Sequence, residues 1–406
     1  MPEAPAPVFP TRIRFDEARA IVRAVAAGHR TAVETLTLDA CAGRILAEDV
    51  IATIDLPPFA NSAMDGFALR AADLDDTGLP VAGHVFAGSL APALPARACM
   101  GITTGAMLPA GADTVLPKED AELRDGRLHA RALLTPGRFV RAAGEDLAAG
   151  QLALRAGEVL SPARIGLAAA LGLPRLPVHA RPTVAVFTGG DELRRPGEPL
   201  EPGTIYDSNR SQLMALLSEA GMQPLAMPRL ADDAAAIASA MAAATTSFDV
   251  VISSGGVSAG EKDLLPTWLQ AHGRVHFWKV LMRPGMPVLF GSADHSLVLA
   301  LPGNPVSTLA TFLTLGRELL DGLQARGEPR PTWHAQLASD HVKRHPRREF
   351  LRGRLDRGAD GLLRVWPDAA DGSHRLAAAS LADALIVLPE GEREFSLGDR
   401  VEVIPL

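Results

Sequence analysis

A chain of 406 residues, 47% of them hydrophobic, has length for roughly two to four domains and enough apolar mass to bury sizeable cores without disulfide or metal staples. Its net charge of -7 at pH 7 argues against broad electrostatic binding to nucleic acid or an anionic membrane, and suits small anionic ligands better. The cysteines, Cys41 and Cys99, form no metal-type cluster and fit a reducing compartment, and neither a basic-then-apolar leader nor a run of about 18 apolar residues occurs, so a cytoplasmic protein with no membrane contact is expected.

In chain order, a Pro-rich start gives way to apolar residues at helical spacing (Phe15, Ala18, Ile21, Val22, Val25) that stop at Gly28, with Asp16 or Thr11 as candidate caps. A short strand, a helix around 40–46 and a turn-rich segment holding Pro57, Pro58, Asn61, Asp65 and Gly66 should follow. Short strands broken by glycine and proline fill 81–149, and 151–180 returns to helix before a Pro-punctuated linker. The β-rich stretch 51–149 therefore reads as an insertion into an N-terminal helical domain made of 1–50 and 150–180. From 181 to 326 strands alternate with helices: strands at 183–187, 223–227, 250–253, 276–282, 288–290 and 297–301, helices at 209–220, 234–245, from Asp263, and 305–324. That alternation predicts a doubly wound α/β domain, and the short strands of 327–406 predict a small C-terminal β-barrel or sandwich.

In open α/β sheets ligands bind beyond the carboxyl ends of the strands. Three such ends carry polar loops: Thr188 to Leu193, Ser253 to Asp263, and Pro302 to Ser307. In the second, Gly255 and Gly256 allow positive φ, Ser253, Ser254 and Ser258 add hydroxyls, and Glu261 and Asp263 add charge that only a cation would reconcile with a bound phosphate. In the third, Pro302 and Pro305 stiffen the turn and place a proline at the first turn of a helix, which is also its ordinary structural purpose. Lys279 and Arg283, four residues apart on a strand-to-turn segment, should share a face and could contact an oxyanion together.

The ordered set NSAMDG (61–66), TTGAMLPAGAD (103–113), GED (144–146), GDEL (190–193), IYDSN (205–209), SSGGVSAGEKD (253–263), RPGMP (283–287), LPGNPVS (301–307) and RREFLRG (347–353) resembles the molybdopterin molybdenumtransferase family, the bacterial MoeA type, which is similar to the gephyrin E domain. The resemblance implies insertion of molybdenum from molybdate into adenylyl-molybdopterin with release of AMP in a Mg²⁺-dependent step. It implies a homodimer whose clefts are completed by NSAMDG of the other copy. On the matching positions it assigns Asp65, Glu192 and Asp263 to metal and catalysis, and Lys279 and Arg283 to phosphate and molybdate. Thr104, Asp146, Thr188, Ser253, Gly255, Gly256, Ser258, Pro302, Pro305 and Ser307 would line the ligand. Arg283 and Met286 stand where lysine is common, Gly189 where threonine is common, and Ala60 where a charged residue is common. A non-catalytic pterin-binding scaffold of the same fold is the alternative. A generic nucleotide phosphotransferase is disfavoured because no GxxxxGK[ST] stretch occurs.

Overall fold

The computed structural model describes residues 9–257, 264–368, 372 and 374–406. These fall into two compact units, one formed by 35–177 and the other by the preceding segment together with 178–406. The division differs from the four-part reading because helix Phe15–Ala27 packs on the α/β layer. Its buried face, Phe15, Ala18, Val22 and Ala26, is the expected one, and its Ala26 lies so close to Gly322 that a side-chain carbon there would meet the Ala26 methyl at 2.6 Å. Arg14 occupies the N-cap with no side-chain bond, so neither Thr11 nor Asp16 caps the helix; Asp16 and Glu17 sit in its first turn.

In the larger unit a seven-stranded sheet runs in the order Thr11–Ile13, Arg274–Val280, Leu289–Ala293, Ser296–Leu301, Val250–Ser254, Val184–Thr188, Leu225–Ala226. Ser296–Leu301, Val250–Ser254, Val184–Thr188 and Leu225–Ala226 are mutually parallel, while Leu289–Ala293 is antiparallel to both its neighbours. Alternate residues of the central strands feed two cores. Val184, Val186, Val250, Ile252, Leu297 and Leu299 pack against helices Phe15–Ala27, Ser208–Glu219 and the segment from Pro305 to Leu323. Ala185, Phe187, Val251 and Val298 pack against helices Ala234–Thr245 and Leu265–His272. A sheet buried on both faces this way must be apolar at consecutive positions, which is why its strands read as unbroken hydrophobic runs.

The C-terminal segment forms a closed five-strand barrel in the cyclic order Arg348–Arg357, Leu363–Pro367, Trp333–Leu337, Arg400–Pro405, Ala384–Leu388. Strand Met282–Arg283 of the α/β layer adds to it in parallel, with Arg283 opposite Glu349. Phe350 and Leu385 of the barrel belong to the same apolar core as the sheet, and Phe350 meets Phe15 edge-on with ring centroids 5.0 Å apart.

The smaller unit is mostly β. Its six-stranded sheet runs Thr114–Pro117, Gly66–Leu69, Cys99–Ile102, Leu79–Val85, Arg127–Ala130, Ala121–Arg124. Ala68, Met100, Ile102 and Val115 pack on one side, and Leu69, Cys99, Leu116 and Leu128 on the other. The helix expected at 40–46 is absent. A single 3₁₀ turn, Leu38–Ala40, is followed by Gly43 at φ +71°, a left-handed residue that ends any helix, and Ile45 then bridges to Val159. Helix Pro162–Ala170 is present, capped by the Ser161 hydroxyl accepting from the Arg164 N–H. Among the described residues no helix is long and apolar enough to cross a membrane.

Candidate functional site

The larger unit holds a cleft of about 980 Å³ between the carboxyl edge of the sheet and the barrel. On the sheet side it is lined by Glu192, Tyr206, Asp207, Asn209, Pro302 to Ser307 and the loop Pro284 to Pro287; on the barrel side Arg283 is joined by Arg347, Glu349, Arg352 and His374. The position is the one that the strand-end rule anticipates.

The sheet side is shaped by buried polar groups that bond to one another. Thr188, fully buried, donates its hydroxyl to Asp207 Oδ2 at 2.6 Å and accepts from Arg210 Nη2 at 3.0 Å. Asp207 in turn caps helix Ser208–Glu219 through the Arg210 N–H at 3.1 Å, and Arg210 also donates to Asp207 Oδ2 at 3.2 Å and to the Met227 carbonyl. A short Asp cap holding an arginine ties three chain segments together behind the cleft. Nearer the surface, Asn209 Nδ2 donates to Ser254 Oγ at 2.8 Å and to the Gly303 carbonyl at 2.6 Å. Ser254 and Thr308 both donate to the Pro302 carbonyl, at 3.0 and 2.7 Å. The loops after Val250–Ser254 and Ser296–Leu301 are thereby fastened to the helix after Val184–Thr188. Gly255, at φ +92°, brings its backbone so near Gly189 that a side-chain carbon would lie 2.8 Å from the Gly189 carbonyl oxygen, so any larger residue would push the two loops apart.

The barrel side is charged. Arg352 is buried, with Nη1 on the Arg375 carbonyl at 3.0 Å and Nε 3.2 Å from Asp368. Glu349 is buried between His345, at 3.2 Å, and Arg283, at 3.8 Å, and burial lowers the pKa of His345.

Of the sequence-derived candidates, Glu192, Arg283, Pro302, Pro305 and Ser307 line this cleft. Thr188 and Ser253 are buried beneath the strand ends and do not line it. Gly255 and Gly256 form the positive-φ turn of the central loop. Ser258 and Asp263 lie outside the described residues. Of the two candidate cations, Arg283 lines the cleft and Lys279 does not. Lys279 adopts φ +69°, which turns it out of strand register, and its ammonium lies over the Trp278 ring, 4.4 Å from the centroid. Trp278 donates its indole N–H to the Val257 carbonyl at 3.0 Å, so Lys279 accompanies the glycine loop, whereas Arg283 belongs to the barrel edge.

In the smaller unit Asp65 and Thr104 do meet. Asp65 Oδ1 accepts from the Thr104 N–H at 2.7 Å and its hydroxyl at 2.8 Å, and Lys118 stands 3.7 Å from Oδ2. The backbone bond from Thr104 is the largest cause, followed by the hydroxyl, of a pKa below the ordinary aspartate value, which keeps this exposed carboxylate ionised. Asp146 is exposed, its N–H donating to the Leu56 carbonyl at 3.0 Å. Residues missed by sequence reasoning are Asn209, Arg347, Arg352, Glu349 and His374. The quoted motifs IYDSN and RREFLRG contained four of them, and the signal was a charged strand of a separate domain that only barrel closure carries to the sheet edge.

Comparison with known proteins covers nearly the whole chain. Family profiles described as MoeA N-terminal region (domain I and II), probable molybdopterin binding domain, and MoeA C-terminal region (domain IV) match residues 13–172, 185–322 and 334–406. A curated protein of Haemophilus influenzae named molybdopterin molybdenumtransferase is 37% identical over 92% of this chain and 94% of its own length. A Nostoc protein of the same name is 36% identical over 92% of this chain and 88% of its own. Among solved structures, a molybdopterin biosynthesis MoeA protein from Pyrococcus horikoshii superposes with TM-score 0.82 at 25% identity, covering 97% of this chain and all of that one.

Proposed function

The chain belongs to the MoeA family of molybdopterin molybdenumtransferases, transferases of molybdenum cofactor biosynthesis, and on that premise we propose that it inserts molybdenum from molybdate into adenylyl-molybdopterin and releases AMP. The observation that carries this reading is the cleft itself: Arg283, Arg347, Arg352 and His374 line one wall of a space about 980 Å³ in volume. That volume suits a phosphorylated pterin with a second oxyanion. Arginine forks match phosphate and molybdate oxygens in bidentate fashion, and the fork of Arg283 replaces the point charge of a lysine while keeping its sign. Met286, also in the lining, adds no charge, so the oxyanion depends on the barrel arginines.

Mg²⁺ fits the oxygen donors present. Glu192 is an exposed carboxylate on the cleft and Asp65 is an ionised one. Such a set suits a cation that keeps its waters and takes most of its ligands from substrate phosphates. When bound, Mg²⁺ would neutralise charge on the phosphate and molybdate oxygens. Glu192 and Asp65 would hold it, Thr104 keeps Asp65 ionised and oriented, and the three arginines and the Ser307 hydroxyl position the anions. In this reading the protein is a cytoplasmic homodimer, and Asp65 with Thr104 from a second copy completes each cleft.

The test is AMP release from adenylyl-molybdopterin with molybdate and Mg²⁺. Asp65→Ala and Glu192→Ala should each abolish release, and an equal mixture of the two, after subunit exchange, should recover a fraction of it because some clefts then combine intact halves. Full release by either variant alone would sink the assignment, and no recovery on mixing would sink the shared cleft.

A further inference from the structure

Between strand Val184–Thr188 and helix Ser208–Glu219 the chain makes a small flap at one end of the cleft. Leu193–Arg194 and Ile205–Tyr206 pair in parallel, Leu193 opposite Ile205 and Arg194 opposite Tyr206. The flap is held by its own bonds: the Ile205 N–H on the Glu192 carbonyl at 2.9 Å, the Asp207 N–H on the Arg194 carbonyl at 2.8 Å, and Arg194 3.2 Å from Glu201. Its large side chains are not buried. Ile205 is 56% exposed and Tyr206 44%, and with Leu193 they line the same cleft as the arginines.

Single exposed apolar residues need no explanation. Two adjoining on one flap, with the half-buried Leu193 in the lining of the same polar cleft, do. The Tyr206 hydroxyl donates to the Glu198 carbonyl of the flap at 3.0 Å, so its hydrogen-bonding capacity is met at home and the ring is fixed before any ligand arrives. A half-exposed aromatic ring tethered by its hydroxyl is a surface for a flat partner. The cationic groups on the barrel wall require that partner to carry negative charge elsewhere.

We infer that Tyr206 is the platform on which the fused nitrogen heterocycle of the cleft's anionic ligand stacks, the class that contains purines and pterins. Tyr206 thereby selects ligands by their ring while Arg283 and Arg347 hold their anionic end. This rests on the reading of the cleft as the ligand site.

Tyr206 is the chain's one tyrosine, so full-length protein labelled with 3-fluorotyrosine gives a single ¹⁹F resonance. Two titrations, one with AMP and one with 6-hydroxymethylpterin phosphate, are followed by that resonance and by calorimetry. The expected result is a saturable shift in at least one arm, tracking the calorimetric Kd and identifying which ring is seated. Tyr206→Ala should weaken that arm about tenfold or more, Tyr206→Phe should hold it within about twofold because the ring remains, and Leu200→Ala, on the flap but outside the lining, should leave it unchanged. Heat of binding with an unmoved resonance, or parental affinity in Tyr206→Ala, overturns the platform and leaves the anion-binding cleft standing. A resonance that moves on diluting the protein alone, and not with either probe, assigns the ring to contact between copies and also overturns it. No heat and no shift with either probe at millimolar concentration overturns both readings.

Discussion

On the sheet side of the cleft the hydroxyls and amides turn inward: Thr188, Ser254, Thr308 and the donor end of Asn209 bond to protein groups and set the distance between loops. On the barrel side the long cations are held by protein groups and still line the space, Arg352 by Asp368 and the Arg375 carbonyl and Arg283 by Glu349. The difference teaches that polar residues at strand ends are of two kinds. Short ones serve as rivets, because a buried hydroxyl must find a partner within about 3 Å and the nearest partner is the neighbouring loop. Long charged ones carry several donors, so a guanidinium held through some of its nitrogens can still offer the others to a ligand.

If that contrast holds, removing a rivet costs stability and removing a long cation costs binding. The largest effect should come from Asp207→Ala, which removes the helix cap and leaves Arg210, itself mostly buried, without its carboxylate. Breaking a buried pair of this kind costs about 3–5 kcal/mol, read as a lowered midpoint in urea unfolding. Normal stability with lost anion binding would break the contrast, since Asp207 would then face ligand.

Arg347→Ala should do the reverse. It sits in the bend before strand Arg348–Arg357 and is only partly buried, so its stability change should stay within about 0.5 kcal/mol, while molybdate or inorganic phosphate affinity falls by the worth of a hydrogen bond to a charged group, about 1.5–3 kcal/mol. Calorimetric titration measures the second and urea unfolding the first; unaltered affinity would remove Arg347 from the anion wall.

The smallest effect concerns Thr104→Val in the other unit. Because the Thr104 N–H is the leading cause of the depressed Asp65 pKa and the hydroxyl the next, deleting only the hydroxyl should raise that pKa part of the way to the ordinary aspartate value. A folded-state pKa below the unfolded one stabilises above the unfolded value, and that contribution is lost as pH falls through the folded value. The variant should therefore lose it at a higher pH, still within the acidic range. A ¹³C carboxyl titration of Asp65 by NMR checks this, and an unchanged pKa would show that the backbone bond alone sets it.

Much of this architecture could be read from residues alone. Strand–helix alternation after 181 and Pro305 opening the helix after Ser296–Leu301 are local signals, and local signals survive folding. The failures share a cause. A helix at 40–46 rested on propensity and ignored Gly43, whose left-handed backbone redirects Ile45 to Val159. Placing Lys279 and Arg283 on one face assumed unbroken strand alternation, and a left-handed Lys279 ends it. Arg347 and Arg352 stood in a quoted motif, but their place beside the sheet, like that of His374, follows from barrel closure, a long-range event.

The ladder from Met282–Arg283 to Arg348–Arg357, and the core that Phe350 and Leu385 share with the sheet, bear on how the cleft discriminates. Its two walls are stitched by backbone bonds and a common interior, so drawing them apart would tear a strand pairing and wet an aromatic core. The opening thus behaves as a gauge of set width. Molecules too broad for it would be excluded whatever charge they carry.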